Sequence, residues 1–174
     1  MAGSRLLRRK QRDWTTNHYL ESVLGRCRLR RFRGVYSCDN IPRHIAEQKY
    51  FSIICNWDRE GRPGSHFVAI IGRPDRVLYI DPLGLDCYNE DINAFLDTAA
   101  NCKLWKRPID VQAVPMQDIM SMMCGYHCML AVLYFDRDNH GIIIDESRSR
   151  GGLLMDEAQC KKYIVKLINI YKTE

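Results

Sequence analysis

The sequence predicts an α+β fold, in which an antiparallel or mixed β-sheet surrounds one buried helix and other helices pack outside it. Three short runs, at 51–55, 66–72 and 76–81, are rich in β-branched and aromatic residues, and the RPD segment between the last two indicates a hairpin turn. The stretch CGYHCMLAVLYF at 124–135 is almost entirely apolar, which is typical of a buried helix. Together these patterns predict strands in the middle of the chain and a central helix after them.

Three further helices and one more strand are predicted from the spacing of apolar residues. Residues 15–25 and 155–172 carry an apolar stripe at helical spacing, and residues 89–102 add an acidic first turn to such a stripe. The segment DVQAVPMQ at 110–117 alternates between polar and apolar side chains and predicts another strand.

Length and composition favour one globular domain. The chain has 174 residues, of which 46% are hydrophobic and 27% are charged, enough for one hydrophobic core and little for two. We expect a basic tail at 1–13 and a single domain at 14–174, present as a monomer. No apolar run reaches the roughly 18–20 residues that span a membrane, and no apolar core of signal-peptide length follows the N-terminus. Membrane insertion and secretion are therefore not expected.

The eight cysteines favour reduced thiols, since the sequence carries no sign of secretion. Cys55 and Cys160 lie among apolar residues, as buried thiols do. Zinc binding is the alternative, but no pair of C-x-x-C motifs is present, and Cys124, His127 and Cys128 fall within about one helical turn. We expect no metal site and no cofactor for the chemistry.

The net charge of +5 conceals a basic N-terminal segment. Residues 1–33 contain ten Lys or Arg residues and two acidic residues, whereas the rest of the chain is mildly acidic. Such a segment favours a polyanion partner, most simply nucleic acid; a solvated tail or a nuclear-targeting cluster is the alternative. The candidate nucleic-acid-binding residues are Arg5, Arg8, Arg9, Lys10, Arg12, Arg26, Arg28, Arg30, Arg31 and Arg33.

Two polar residues flank the predicted hairpin at one end. His66 begins the strand HFVAIIG, and Asp81 ends the following strand RVLYID. In a tight hairpin the start of one strand lies beside the end of the next, so these side chains can form a hydrogen bond. A carboxylate that holds one imidazole nitrogen leaves the other free to take a proton from a thiol.

Cys124, a candidate nucleophile, opens the buried helix seven residues after Gln117. The free N–H groups and the positive dipole end at a helix N-terminus stabilise a thiolate. The Gln117 amide and the backbone N–H of Cys124 can together hold the oxyanion of a tetrahedral intermediate. Taken singly, each residue also has a plain structural explanation, such as an inert thiol, a surface histidine or an Asp-Pro turn. Their combination indicates a cysteine-dependent acyl-transfer site.

The same residues carry a resemblance to a known family. The order His, Asp, Gln, Cys, with CGYHC opening a late helix, is similar to that of the adenovirus-type (adenain-like) cysteine endopeptidases, in the clan that includes SUMO- and NEDD8-processing proteases. RFRGVYSCDNIP resembles the segment after the family's first helix, FSIICNWDREGRPGSHFVAI its strand, glycine loop and histidine, and VLYIDPLG its acidic segment. The resemblance covers roughly 17–135 and points to proteases of adenovirus-like viruses and virus-like transposons.

The resemblance implies a papain-like cysteine protease fold in the circularly permuted order of this clan, with a central mixed sheet, one buried helix and flanking helices. It also implies an endopeptidase that cleaves viral precursor proteins at small-residue, Gly-containing sites during virion maturation, located in the virion and the host nucleus or cytoplasm. In this assignment Cys124 is the nucleophile and His66 the general base and then acid. Asp81 orients His66, and Gln117 contributes to the oxyanion hole.

The resemblance further suggests activators. Adenoviral proteases are activated by DNA and by a viral peptide that is disulfide-linked to the enzyme, so both are expected partners. Cys102 is the candidate attachment point, although its distance from Gln117 is not that of the family, and a helix-end core thiol is the alternative.

The sequence departs from the family at several points. Phe67 stands where both branches of the clan usually have Trp, Asp81 stands where many adenoviral enzymes have Glu, and the chain from about residue 140 onward is not similar. Two other functions remain open: a protease for SUMO or another ubiquitin-like modifier, and a non-catalytic nucleic-acid-binding protein on a protease scaffold.

Overall fold

The structure, a computed structural model, describes residues 16–62, 64–102, 109–111, 115, 117, 122–136, 160–162, 164–166 and 168–169. The tail predicted at 1–13 and its boundary with the domain lie outside these residues. The helices are α1 (Asn17–Leu24), α2 (Glu90–Asn101) and α3 (Cys124–Asp136), with 3-10 turns at Gly25–Cys27 and Arg43–Ile45. The strands are β1 (Phe32–Ser37), β2 (Phe51–Asn56), β3 (Phe67–Gly72), β4 (Val77–Ile80) and β5 (Ile109–Val111). The described residues from 160 to 169 are helical. Among all described residues, no helix has the length and apolarity needed to cross a bilayer.

The five strands form one mixed sheet in the order β1-β2-β3-β4-β5. β2, β3 and β4 run antiparallel to one another, whereas β1 is parallel to β2 and β5 is parallel to β4. The turn predicted at RPD joins β3 to β4, where the Arg73 N–H donates to the Arg76 carbonyl at 2.8 Å. Parallel neighbours need a crossover, and α2 supplies the one between β4 and β5. The predicted α+β fold with a mixed sheet is confirmed. β5 covers only the start of the strand predicted at 110–117, most of which lies outside the described residues.

Helices cover both faces of the sheet. Every residue of β2, β3 and β4 is buried, which is why these segments appear in the sequence as nearly continuous apolar runs. Successive strand residues point to opposite faces, so Ile54 packs in one core with Leu130 of α3, and Ile53 packs in a second core with Phe95 of α2. Cys160, from the C-terminal helical residues, joins the first core. α3 is therefore the buried helix that the sequence predicts.

Gly72, at the end of β3, gives a test of this packing. A Cβ atom at Gly72 would overlap the ring of Phe51, its partner in β2. Gly72→Ala should therefore destabilise the fold by about 1–3 kcal/mol, because neither the strand nor the buried ring can move aside without strain. Urea unfolding measures the change. Gly25→Ala is the matched control, since a Cβ atom there meets nothing within 4 Å; equal stability loss in both variants would contradict the packing argument.

Candidate active site

His66 and Asp81 meet at one end of the sheet. His66 directly precedes β3 and Asp81 directly follows β4, so each lies one residue outside the observed strand, although the sequence predicted both as strand-end residues. Since β3 and β4 are antiparallel, these two ends are neighbours. The Nε2 atom of His66 lies 2.9 Å from Oδ1 of Asp81. The Asp81 side chain is fully buried, whereas the His66 side chain keeps 12% of its surface exposed.

The turn after β4 fixes the Asp81 carboxylate. Its Oδ1 atom also accepts a hydrogen bond from the Leu83 N–H at 2.7 Å. The Asp81 carbonyl accepts from the Gly84 N–H at 2.8 Å, and Gly84 has a φ of 69°, a left-handed conformation that favours glycine. The orientation of the Asp81 carboxylate is therefore fixed by its own turn, independently of the imidazole.

Cys124 is the first residue of α3 and is 8% exposed. The Met123 carbonyl accepts the His127 N–H at 3.1 Å and so begins the helical hydrogen bonds. The backbone N–H of Cys124 belongs to the first turn, which has no acceptor inside its own helix. It is thus available to a substrate oxygen.

The His66 imidazole interacts with both Asp81 and Cys124, and these interactions shift its pKa. Burial lowers this pKa, but the hydrogen bond with Asp81 and a side-chain hydrogen bond with Cys124 raise it, so that it rises from 6.5 to about 9. The ring is then protonated at neutral pH. Because Nε2 faces Asp81, Nδ1 is the nitrogen left to exchange a proton with the Cys124 sulfur. An imidazolium between a carboxylate and a thiol can support nucleophilic catalysis.

Gln117 is linked to the same region through its backbone. Its N–H donates to the carbonyl of Pro82, the residue after Asp81, at 3.1 Å, and Gln117 is only 5% exposed. The structure therefore brings the His66 ring to both Asp81 and Cys124 and places Gln117 beside the turn that carries Asp81.

Trp57 is a residue of the site that the sequence interpretation missed. Its ring lies edge-on against the His66 ring, with centroids 5.3 Å apart and an interplanar angle of 80°. The backbone N–H of Trp57 donates to the His66 carbonyl at 2.9 Å. Phe67, which stands where the resemblance would place Trp, is instead part of the core next to α3. The β2–β3 register, in which Asn56 pairs with Phe67, puts Trp57 opposite His66, so the hairpin register is the signal that could have found it.

Cys102 has a different environment from the predicted core thiol. It follows α2 as its C-cap residue and is exposed, so the helix-end core alternative is wrong. The buried residues of α2 are Ile92, Phe95, Leu96, Ala99 and Ala100. Cys102 follows the helix and is not part of this buried set.

The described arginines of the basic segment fall into two groups. Arg31 lies over the Tyr50 and Phe135 rings and donates to the Phe135 carbonyl, and Arg33 donates to Gln48, so both hold the fold together. Arg26, Arg28 and Arg30 form the second group, and all three are exposed. The basic residues at 5–12 lie outside the described residues.

No group of three or more His, Cys, Asp or Glu side chains suited to a metal ion occurs within the described part of the chain. His127, one of the residues considered for zinc, is fully buried, and both ring nitrogens lack a hydrogen-bond partner there. Burial lowers the pKa of His127 to about 4, so this ring is neutral at neutral pH.

Comparison with known proteins gives a likeness of fold only. No protein-family model matches the chain, and no curated protein matches it. Among solved structures, it is similar to a SUMO protease Ulp1 with the catalytic cysteine oxidized to a sulfonic acid, with 12% sequence identity and a TM-score of 0.49. The likeness covers 94% of this chain and 79% of that chain.

Thiol labelling tests the interaction between Cys124 and His66. Iodoacetamide near neutral pH should modify Cys124 faster than the other buried cysteines, because the imidazolium stabilises its thiolate. Exposed Cys102 will react as an ordinary surface thiol and serves as the internal reference. His66→Gln should slow modification of Cys124 about tenfold or more while Cys102 keeps its rate. Peptide mass spectrometry follows the rate of modification at each cysteine. Equal rates at Cys124 in the unmodified protein and in His66→Gln would contradict an activated thiol.

Proposed function

We propose that this protein is a cysteine endopeptidase with Cys124 as nucleophile. The observation that supports this proposal is that one largely buried imidazole, that of His66, interacts with both the buried Asp81 carboxylate and the Cys124 side chain. A histidine with only a structural role would need hydrogen-bond partners for its ring nitrogens. It would not need one of those partners to be a thiol at the N-terminus of a helix.

The proposed reaction proceeds in two stages. The Cys124 thiolate attacks the substrate carbonyl carbon, and the oxygen takes the negative charge and accepts hydrogen bonds from the Cys124 N–H and the Gln117 amide. The His66 imidazolium then gives its proton to the amide nitrogen, the C–N bond breaks, and a thioester remains on Cys124. His66 then takes a proton from water as the water oxygen attacks the thioester carbonyl, and the C–S bond breaks. The acid product leaves as a carboxylate after losing its remaining proton to solvent, and the Cys124 thiolate and the His66 imidazolium are restored. Asp81 holds Nε2 throughout, so that Nδ1 faces the sulfur.

The proposed substrates are viral precursor proteins cut at small-residue, Gly-containing sites during virion maturation, as the family resemblance implies. A panel of internally quenched Gly-containing peptides, assayed beside SUMO and ubiquitin-like modifiers carrying a C-terminal fluorophore, tests this assignment. Cleavage of the peptides and not of the modifiers supports the endopeptidase. The reverse pattern would support a modifier protease of the same clan, and no turnover of either, with or without DNA, would support the non-catalytic scaffold.

The basic segment is proposed to bind DNA. Removing residues 1–12 should weaken binding to duplex DNA by about tenfold or more at low salt and reduce the salt dependence, because fewer phosphates are neutralised. Peptide hydrolysis without DNA should persist. Fluorescence anisotropy with labelled DNA measures the affinity. Unchanged binding after the deletion would assign any DNA contact to other residues, such as Arg26, Arg28 and Arg30, whose side chains are exposed.

An activating peptide is proposed to attach at Cys102, whose exposure leaves the thiol accessible for disulfide formation. Cys102→Ser should remove activation by a cysteine-containing peptide of the virus without removing the unactivated rate. Activation that survives in Cys102→Ser would place the linkage elsewhere.

A further inference from the structure

An open groove of about 640 Å³ lies next to the candidate active site and shares Trp57 with it. Trp57 contacts the His66 ring and also lines this groove, together with Tyr88 and the first residues of α2. A side chain that crosses the groove can therefore be in contact with the residue that covers the imidazole.

The direction of the proposed reaction says which part of a substrate reaches this groove. His66 must give its proton to the nitrogen that leaves, so the residues after the scissile bond have to pass beside its ring. Trp57 is the aromatic side chain in contact with that ring. We propose that the groove binds the segment of the polypeptide substrate that follows the scissile bond. This inference rests on the proposed function and extends it to the leaving-group side.

Tyr88 is placed to be the main contact. It is 73% exposed although it is a large aromatic residue, and it lines the groove. The backbone on both sides of it is fixed, since Asn89 Nδ2 donates to the Trp57 carbonyl at 2.9 Å and Asn93 Nδ2 donates to the Cys87 carbonyl at 3.0 Å. An exposed aromatic side chain on an anchored backbone has only two rotatable bonds, so it loses little entropy on binding, which is typical of residues that dominate recognition.

The charges of the groove favour certain substrates. Arg59 pairs with Asp91 at 3.1 Å, so these two lining residues largely neutralise each other. The other charged residues of the lining are Asp58, Glu90 and Arg62, which give an excess of one negative charge. A basic side chain in the bound segment should therefore be preferred to an acidic one.

Two substrates with the same residues before the scissile bond separate this inference from the proposed function. One ends in an aminomethylcoumarin amide, and the other continues for six residues between a fluorophore and a quencher. Tyr88→Ala should lower kcat/KM for the longer peptide about tenfold more than for the coumarin amide, chiefly through a higher KM. Tyr50→Ala is the matched control, because Tyr50 directly precedes β2 whereas Trp57 directly follows it, which puts them at opposite ends of the strand. Tyr50→Ala should have the same kcat/KM as the unmodified protein for both substrates.

Each outcome has one meaning. If the unmodified protein cleaves neither substrate, the proposed function fails. If it cleaves both and Tyr88→Ala affects them equally, the groove does not hold the leaving segment and the inference is overturned while the endopeptidase stands. Exchanging Lys for Glu in the leaving segment should lower kcat/KM about two- to fivefold, and Glu90→Lys should remove that preference. A preference that Glu90→Lys leaves intact would overturn the assignment of the charges.

Discussion

Cys124→Ala is expected to lower kcat for peptide cleavage by a factor of about 10⁴ or more while the protein stays folded. The reason is that the thioester cannot form without the sulfur, and the remaining groups act as a unit that loses most of its effect when the nucleophile is absent. The fold should survive because Cys124 is a small side chain at the start of α3, and alanine suits a helix. Internally quenched peptides measure the rate, and far-UV circular dichroism measures the fold.

The control for this variant is Cys27→Ala, which removes a thiol that is 1% exposed and lies at the end of the first 3-10 turn. It should lose some stability, since its thiol donates to the Val23 carbonyl, but should keep its activity. An active Cys124→Ala protein would eliminate the assignment of the nucleophile, and an inactive Cys27→Ala protein would show that the assay reports stability and not chemistry.

His66→Gln is expected to have a comparable effect on the rate, with a loss of about 10³- to 10⁴-fold, because it removes the ring that moves the proton between sulfur and leaving nitrogen. Asp81→Asn is the companion variant. It removes the charge and retains an oxygen that can accept from the Leu83 N–H and the imidazole, so the turn survives. Without the carboxylate charge the pKa of His66 should fall, and the alkaline limb of the kcat/KM profile should move to lower pH.

The same pair makes stability depend on pH in a defined direction. The pKa of His66 is raised from 6.5 to about 9 in the folded protein, so its protonated ring stabilises the fold fully below pH 6.5. That contribution falls as pH rises and is lost above about 9. A shift of this size corresponds to at most about 3 kcal/mol. The difference in the free energy of unfolding between the unmodified protein and His66→Gln, measured in urea at pH 6 and pH 10, should shrink by this order. A constant difference would mean that the ring does not carry the expected proton.

Much of the fold follows from local sequence patterns. The strands β2, β3 and β4 and the helices α2 and α3 are visible because burial on both faces, or along one stripe, leaves its own spacing of apolar residues. The meeting of His66 with Asp81 is also local, since a short turn fixes the register of β3 and β4. The helix that Cys124 begins is also visible, because residues 124–135 are almost entirely apolar.

Other features depend on contacts between distant segments and have no such pattern. That α3 brings Cys124 to the His66 ring, 58 positions away in the chain, depends on which face of the sheet this helix covers. The contact of Trp57 with His66 depends on the β2–β3 register. The exposure of Cys102 depends on how other segments pack around the end of α2. Arg31 illustrates the same limit, because its place over two aromatic rings joins segments separated by about one hundred residues.

The sequence by itself thus determined the central strands, the helices α2 and α3, the order of the reactive residue types and the hairpin that joins histidine to aspartate, since each of these is set within a few turns or one strand pair; it did not predict β1. Only the tertiary structure decided which face of the sheet α3 covers, which aromatic ring supports the imidazole and which cysteines and arginines face solvent. The physical reason is that apolar burial is non-directional. Apolar burial requires that a side chain be covered. Which residues cover it is decided only by the packing of all the helices and strands together.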